Sequence, residues 1–163
     1  TRLVMRSARG CVITQNIDGL HAAAGLPADR LIELHGNGTH AACLDCRAPE
    51  TLASVRARWT EQDPAPRCLA CGGPLKPATI SFGQPMPAEP MDRAQQAALR
   101  ADVFVVVGSS LQVYPAAGFP DLARRAGAKL VIVNREPTPL DDHADLVLHA
   151  EIAPLLRAAV APA

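Results

Sequence analysis

An α/β fold is what this chain predicts: a doubly wound parallel sheet, incomplete at its amino-terminal side, with a small cysteine-rich module set into it. Three observations carry that reading. Apolar runs at Val103–Val107, Leu130–Val133 and Leu146–Leu148 alternate with stretches of helical composition, and an unbroken apolar run is what a strand buried on both faces of a parallel sheet requires. The first run ends in Gly108-Ser109-Ser110 and the second in Asn134-Arg135-Glu136. Small and polar residues at the carboxyl ends of strands are where open α/β sheets bind their ligands. Finally, Cys43 and Cys46, then Cys68 and Cys71, form two CxxC pairs separated by a spacer of 21 residues.

Taken in order, the elements begin with a short β-branched strand at Cys11–Thr14 and a second apolar run at Leu31–Leu34. Between and after them stand TQNIDGLH (Thr14–His21) and ELHGN (Glu33–Asn37). The first puts amide, carboxylate and glycine at the end of a strand; the second adds a histidine, suited to moving a proton near neutral pH. Thr51–Trp59 is a helix candidate, and Asp63-Pro64-Ala65-Pro66 reads as a loop. Pro77 makes Leu75–Phe82 an extended or edge element. Met91–Arg100 is helical in composition. The helix expected over Ala116–Ala126 starts beside Pro115 and should be interrupted by Pro120. Ile152–Val160 closes the chain as an amphipathic helix.

The cysteine spacing predicts zinc. Four thiolates around a tetrahedral ion close its coordination sphere, so such a site is structural, with Cys43, Cys46, Cys68 and Cys71 as ligands. Two disulfides in a secreted domain are the alternative; no signal peptide supports secretion, and the expected cytoplasmic setting keeps thiols reduced. Cys11 reads as a small buried apolar residue. Residues 39–77 form the expected zinc-binding module, leaving 1–38 and 78–163 to the sheet domain.

Sixteen basic and sixteen acidic residues balance over 163 residues. No overall field draws nucleic acid or anionic membrane, and no apolar stretch is long enough to span a bilayer. A soluble, cytoplasmic protein of one ordinary domain, or of one domain with a small insertion, is expected. The first residue is Thr1, and no GxGxxG loop follows the first strand, although such folds hold a dinucleotide pyrophosphate there. A sheet lacking a strand would leave an apolar edge open to self-association.

The segments TQNIDGLH, ELHGN, the paired CxxC knuckles, FG after a proline-containing strand, VVVGSSLQVYPAAGFP and VIVN occur in an order that resembles the sirtuins, the NAD-dependent protein deacylases. The resemblance runs from Cys11 to about Val160. It implies a Rossmann-like NAD-binding sheet with a structural zinc module, and it implies that the family's amino-terminal third, with its GAG-type pyrophosphate loop, is missing.

Residue by residue, the resemblance implies that His35 is the general base, with Asn16 beside it in the catalytic centre. In the family reaction the acyl oxygen of the modified lysine attacks the nicotinamide ribose, nicotinamide leaves, and the histidine then draws a proton from the ribose hydroxyls. Free lysine and O-acyl-ADP-ribose result. Gln15, Asn16, Ile17 and Asp18 match the NAD-contacting stretch; Asp18 is also a candidate helix cap. His21 reads as structural. Gly108, Ser109 and Ser110 match the adenosine ribose and phosphate contacts, Asn134, Arg135 and Glu136 the adenine ribose, and Ala150 the adenine ring. Ordinary turn chemistry is the alternative for these. Ile80, Phe82 and Gly83 match a segment that pairs with the acyl-lysine peptide, and Gln84 stands where the family usually has glutamate. A catalytically silent sirtuin-like module that binds acyl-lysine peptide or ADP-ribose is the other reading the same motifs allow.

Overall fold

The computed structural model describes residues 1–161. In chain order, α1 (Arg2–Met5) precedes β1 (Val12–Thr14), α2 (Leu20–Ala23), β2 (Leu31–Glu33) and β3 (Gly36–Cys43). Next come β4 (Pro49–Thr51), α3 (Leu52–Arg58), β5 (Leu75–Thr79) and α4 (Ala88–Leu99). The chain ends with β6 (Val103–Val107), α5 (Gly118–Arg125), β7 (Lys129–Val133), β8 (Leu146–Leu148) and α6 (Ile152–Ala159). Among the described residues, no helix is long and apolar enough to cross a membrane. The chain packs as two compact units, one spanning Val12–Pro87 and the other combining Thr1–Cys11 with Ala88 onward. Division by packing thus groups β1 and β2 with the cysteine-rich residues, whereas division by expected role groups residues 1–38 with the sheet.

In the Val12–Pro87 unit, β1 and β2 pair in parallel, Val12 opposite Leu31 and Thr14 opposite Glu33. The Leu34 N–H donates to the Thr14 carbonyl at 3.0 Å, and Leu34 is fully buried. That contact fixes where the residues beyond each strand emerge. β3 is the centre of an antiparallel sheet ordered β4-β3-β5, with a register shift between Gly36 and Ala41. β5 lies at the edge, where Pro77 deprives no neighbour of a ladder hydrogen bond. α3 starts after Thr51, whose Oγ1 accepts from the Ser54 N–H at 3.1 Å as an N-cap. At its other end Arg58 pairs with Glu50 at 2.5 Å, and the second Glu50 oxygen accepts from the Leu69 N–H at 2.9 Å. Glu50 thereby fastens the helix to the second cysteine pair.

In the other unit, β6, β7 and β8 form a parallel sheet in that order, with Val103 opposite Lys129 and Val131 opposite Leu146. Its core joins Val106, Leu111, Ala117, Leu130 and Ile132, with Phe104, Leu140, Ala144 and Val147 packed against them. Central β7 is apolar and closely covered, as expected. β6 is not: Val103, Val105 and Val107 are 56%, 50% and 41% exposed, while Val106 is buried. The unbroken apolar run therefore forms a strand covered on one face only, and among the described residues β6 is also the edge of this sheet. Asp145 braces the start of β7, accepting from Lys129 Nζ at 2.8 Å and from the Leu130 N–H at 2.9 Å.

Pro120 does not interrupt α5. It is the third helical residue and buried, at a position whose N–H would lack an intrahelical partner anyway. Cys11 is half-buried instead of fully buried, and burial pushes its thiol up.

Candidate active site and metal centre

The parallel pairing of β1 and β2 delivers Gln15 and His35 to neighbouring strand ends. His35 Nδ1 lies 3.2 Å from the Gln15 carbonyl oxygen. A carbonyl only accepts, so in the neutral ring Nδ1 carries the proton and Nε2 keeps its lone pair. Each neighbour of this histidine is also held. The His35 carbonyl accepts from the Ile80 N–H at 2.9 Å. Gly36 takes φ +70°, and a Cβ there would meet the Ala78 carbonyl oxygen at 2.2 Å, so only glycine fits. Asn37 donates through Nδ2 to Glu33 Oε1 at 2.9 Å and accepts through Oδ1 from the Thr39 N–H at 2.8 Å.

The facing loop is equally defined. The Asn16 N–H donates to Thr14 Oγ1 at 3.1 Å, leaving its side chain exposed. The Ile17 carbonyl accepts from the Gly38 N–H at 2.8 Å, and Asp18 Oδ1 accepts from the Leu20 N–H at 3.0 Å. Asp18 thus turns the chain into α2 with one of its carboxylate oxygens. His21 lies on α2. Ile80, Phe82 and Gly83 continue from β5; Phe82 is fully exposed, and Gly83 has φ +83°.

In the other unit, Gly108–Ser110, Asn134–Glu136 and Ala150 come together at the carboxyl ends of β6, β7 and β8. Gly108 has φ +63° and donates its N–H to the Val133 carbonyl at 2.9 Å. Ser109 Oγ accepts from the Leu111 N–H at 3.3 Å, and Ser110 is exposed. Asn134 Nδ2 donates to the Glu136 carbonyl at 2.7 Å, while Arg135 and Glu151 form an exposed ion pair at 3.6 Å. His149 was not singled out by its sequence position. It follows β8 as Asn134 follows β7, donating from Nδ1 to the Asn134 carbonyl at 3.2 Å and placing Nε2 3.4 Å from Asp141 Oδ2.

The four cysteines converge on a point. Their sulfurs lie within 4.8 Å of one another, with Cys43 to Cys71 at 3.5 Å and Cys46 to Cys68 at 3.7 Å. A tetrahedron with metal–sulfur bonds of 2.3 Å has edges of about 3.8 Å, so the set fits zinc. The Ala70 and Gly73 N–H groups donate to Cys68 and Cys71 sulfurs at 3.4 Å each, stabilising thiolate charge. The Cys46 N–H foremost, helped by the Asp45 N–H and neighbouring thiols, brings the Cys43 thiol down to about 7 against the effect of burial. Cys71 is pushed up to about 12: the Gly73 N–H favours its thiolate, but the surrounding thiols and burial together outweigh it. A Cβ on Gly73 would lie 2.4 Å from Asp45 Oδ2 and 2.9 Å from the Cys43 sulfur.

The Sir2 family model matches residues 1–115. This chain belongs to the Sir2 family. Among similar Sir2 proteins, NAD-dependent protein deacetylase 1 of Bradyrhizobium diazoefficiens is 54% identical over 145 residues, covering 89% of this chain and 57% of the relative. The Rhodopseudomonas palustris NAD-dependent protein deacetylase is 50% identical with the same coverage. A structure of Sir2Tm bound to a propionylated peptide superposes with a TM-score of 0.83 at 39% identity, over 91% of this chain and 61% of that one. A Sir2 structure with p53 peptide and NAD+ gives 0.83 at 38% identity, over 91% and 60%. The chain spans a little over half the length of the Sir2 relatives it matches.

Proposed function

We propose that this chain carries the proton-accepting base, the strand-end ligand contacts and the zinc module of an NAD-dependent protein lysine deacylase, which yields nicotinamide and O-acyl-ADP-ribose. The observation that carries the proposal is the Nδ1 contact of His35 with the Gln15 carbonyl, which leaves Nε2 free to accept a proton from a ribose hydroxyl. Relatives named as NAD-dependent protein deacetylases and a structural neighbour holding p53 peptide and NAD+ support it.

In this reading Asn16 and Asp18 orient the nicotinamide ribose and carboxamide, while Gln15 and Ile17 hold the loop that presents them. Gly108, Ser109 and Ser110 receive the adenosine ribose and phosphate, Asn134, Arg135 and Glu136 the adenine ribose, and Ala150 the adenine. Ile80, Phe82 and Gly83 pair with an extended acyl-lysine peptide. Residues 39–77 serve as the zinc module and 1–38 with 78–163 as the nucleotide-binding part. Zinc held by four thiolates has no open position for substrate, so its contribution is structural. Five unpaired cysteines fit the reducing cytoplasm, and the exposed edge at β6 is a surface for self-association.

The test is nicotinamide release from NAD by the zinc-loaded chain with an acetyl-lysine peptide, beside His35→Ala. A loss of about 100- to 10,000-fold in the variant is expected. Equal release by both proteins overturns the assignment of His35 as the base; binding of peptide or ADP-ribose with no turnover by the parent chain favours the silent module.

A further inference from the structure

The turn after β5 carries a positive charge that no carboxylate balances. Lys76 Nζ donates to the Thr79 carbonyl at 2.5 Å and to Gln84 Oε1 at 2.6 Å. Both acceptors are neutral, and among the described residues no carboxylate pairs with this lysine. Gln84 Oε1 also accepts from the Ser81 N–H at 2.8 Å, and the Gln84 N–H returns to the Ser81 carbonyl at 3.0 Å. One side-chain oxygen therefore uses both lone pairs to tie the ammonium to the turn that presents Phe82.

The charge is fixed as well as unbalanced. Lys76 is half-buried, and its flexible stem is held by two acceptors, so its ammonium does not sweep the solvent as an exposed lysine does. Its turn follows an edge strand whose outer side has no partner strand among the described residues, the geometry in which an extended peptide adds alongside. A fixed point charge beside a backbone-reading strand discriminates side chains that the backbone contacts leave unread.

We infer that the Lys76–Gln84 clamp makes this chain select acyl-lysine peptides bearing an aspartate or glutamate in the segment that flanks the modified lysine. The inference rests on the proposed docking role of Ile80, Phe82 and Gly83. It assigns Gln84 a part in specificity: a glutamate at this position would neutralise the ammonium, whereas the glutamine holds it and leaves its field intact.

The experiment is fluorescence anisotropy of the zinc-loaded chain with acetyl-lysine peptides in which a single glutamate, or a glutamine control, is moved through the flanks. At one or more positions the glutamate peptide is expected to bind about two- to fivefold more tightly at low salt, as partly exposed ion pairs allow, and the advantage is expected to shrink at high salt. Gln84→Glu and Lys76→Met are both expected to remove it. No difference between glutamate and glutamine at any flank position, or a preference that persists in both variants, overturns the inference while leaving peptide docking intact. Failure of every acetyl-lysine peptide to bind overturns the docking role itself and this inference with it.

Discussion

Gly36 shows how much of the candidate site depends on a single missing atom. It is flanked by the proposed base and by Asn37, and a methyl group there meets the backbone oxygen of Ala78 while the residue is held at φ +70°. Gly36→Ala is expected to destabilise the Val12–Pro87 unit by at least about 2 kcal/mol, measured as a lowered midpoint in guanidinium unfolding. It is also expected to weaken the bond from the Ile80 N–H to the His35 carbonyl, visible as faster hydrogen exchange at Ile80. At this scale the sequence was informative where chemistry is local. The four cysteines were legible as a cluster because CxxC spacing is local, whereas the His-Gly dipeptide could be singled out only as a candidate, through its match to the family motif. The clasp of His149 on Asn134 and Asp141 was not legible, because it joins residues brought together only when β7 and β8 pair. The same applies to Gln84: its difference from the family pattern was visible, but its hold on Lys76 required the turn.

Among the elements, the cysteine-bearing sheet is the one that composition describes least well. β3 reads Gly-Asn-Gly-Thr-His-Ala-Ala-Cys and β4 Pro-Glu-Thr, and glycine, asparagine and proline are poor strand formers. Their strand geometry comes from pairing and from the cysteines at the end of β3 and in the turn after it. Chelation of zinc, or Cys46→Ser, is therefore expected to release the β4-β3-β5 sheet while β6, β7 and β8 keep their hydrogen-exchange protection. One zinc per chain in the parent, measured by atomic absorption, and its loss in the variant would accompany this. Full retention of β3 protection after chelation would show that the thiols merely sit close together. β6 erred in the other direction. Five consecutive apolar residues look alike in a central strand and at an edge, and neighbours distant in sequence decide which is realised. Pro120 shows the same dependence on register: its effect turned on whether α5 began at Ala116 or Gly118.

At the level of the whole molecule, the sheet unit stores acid sensitivity in its aspartates. Lys129 beside Asp145, together with the Leu130 N–H, holds that carboxyl below its ordinary range; Arg124 and Arg125 do so for Asp121, and Thr138 followed by His149 for Asp141. Each carboxyl is more acidic folded than unfolded, so the unfolded chain binds more protons between the two values. The stability these groups contribute is present above about pH 4, the usual carboxylate range, and is lost as pH falls through their depressed folded values. Unfolding midpoints measured against pH should decline in that window, and Asp145→Asn should flatten the decline. The α/β class and parallel order were legible from the run of strands, but the limits of the packed units were not, since packing ignores role. Those limits also set an order of assembly. Val12–Pro87 is one continuous stretch, while its companion unit draws on both Thr1–Cys11 and Ala88 onward. During synthesis every contact within the continuous unit becomes available once Pro87 has left the ribosome, and its thiols can capture zinc at that stage. Arg9 must wait for Asp102, 93 residues later, before its 3.0 Å ion pair can form: a segment made before Val12–Pro87 finds its place only after it.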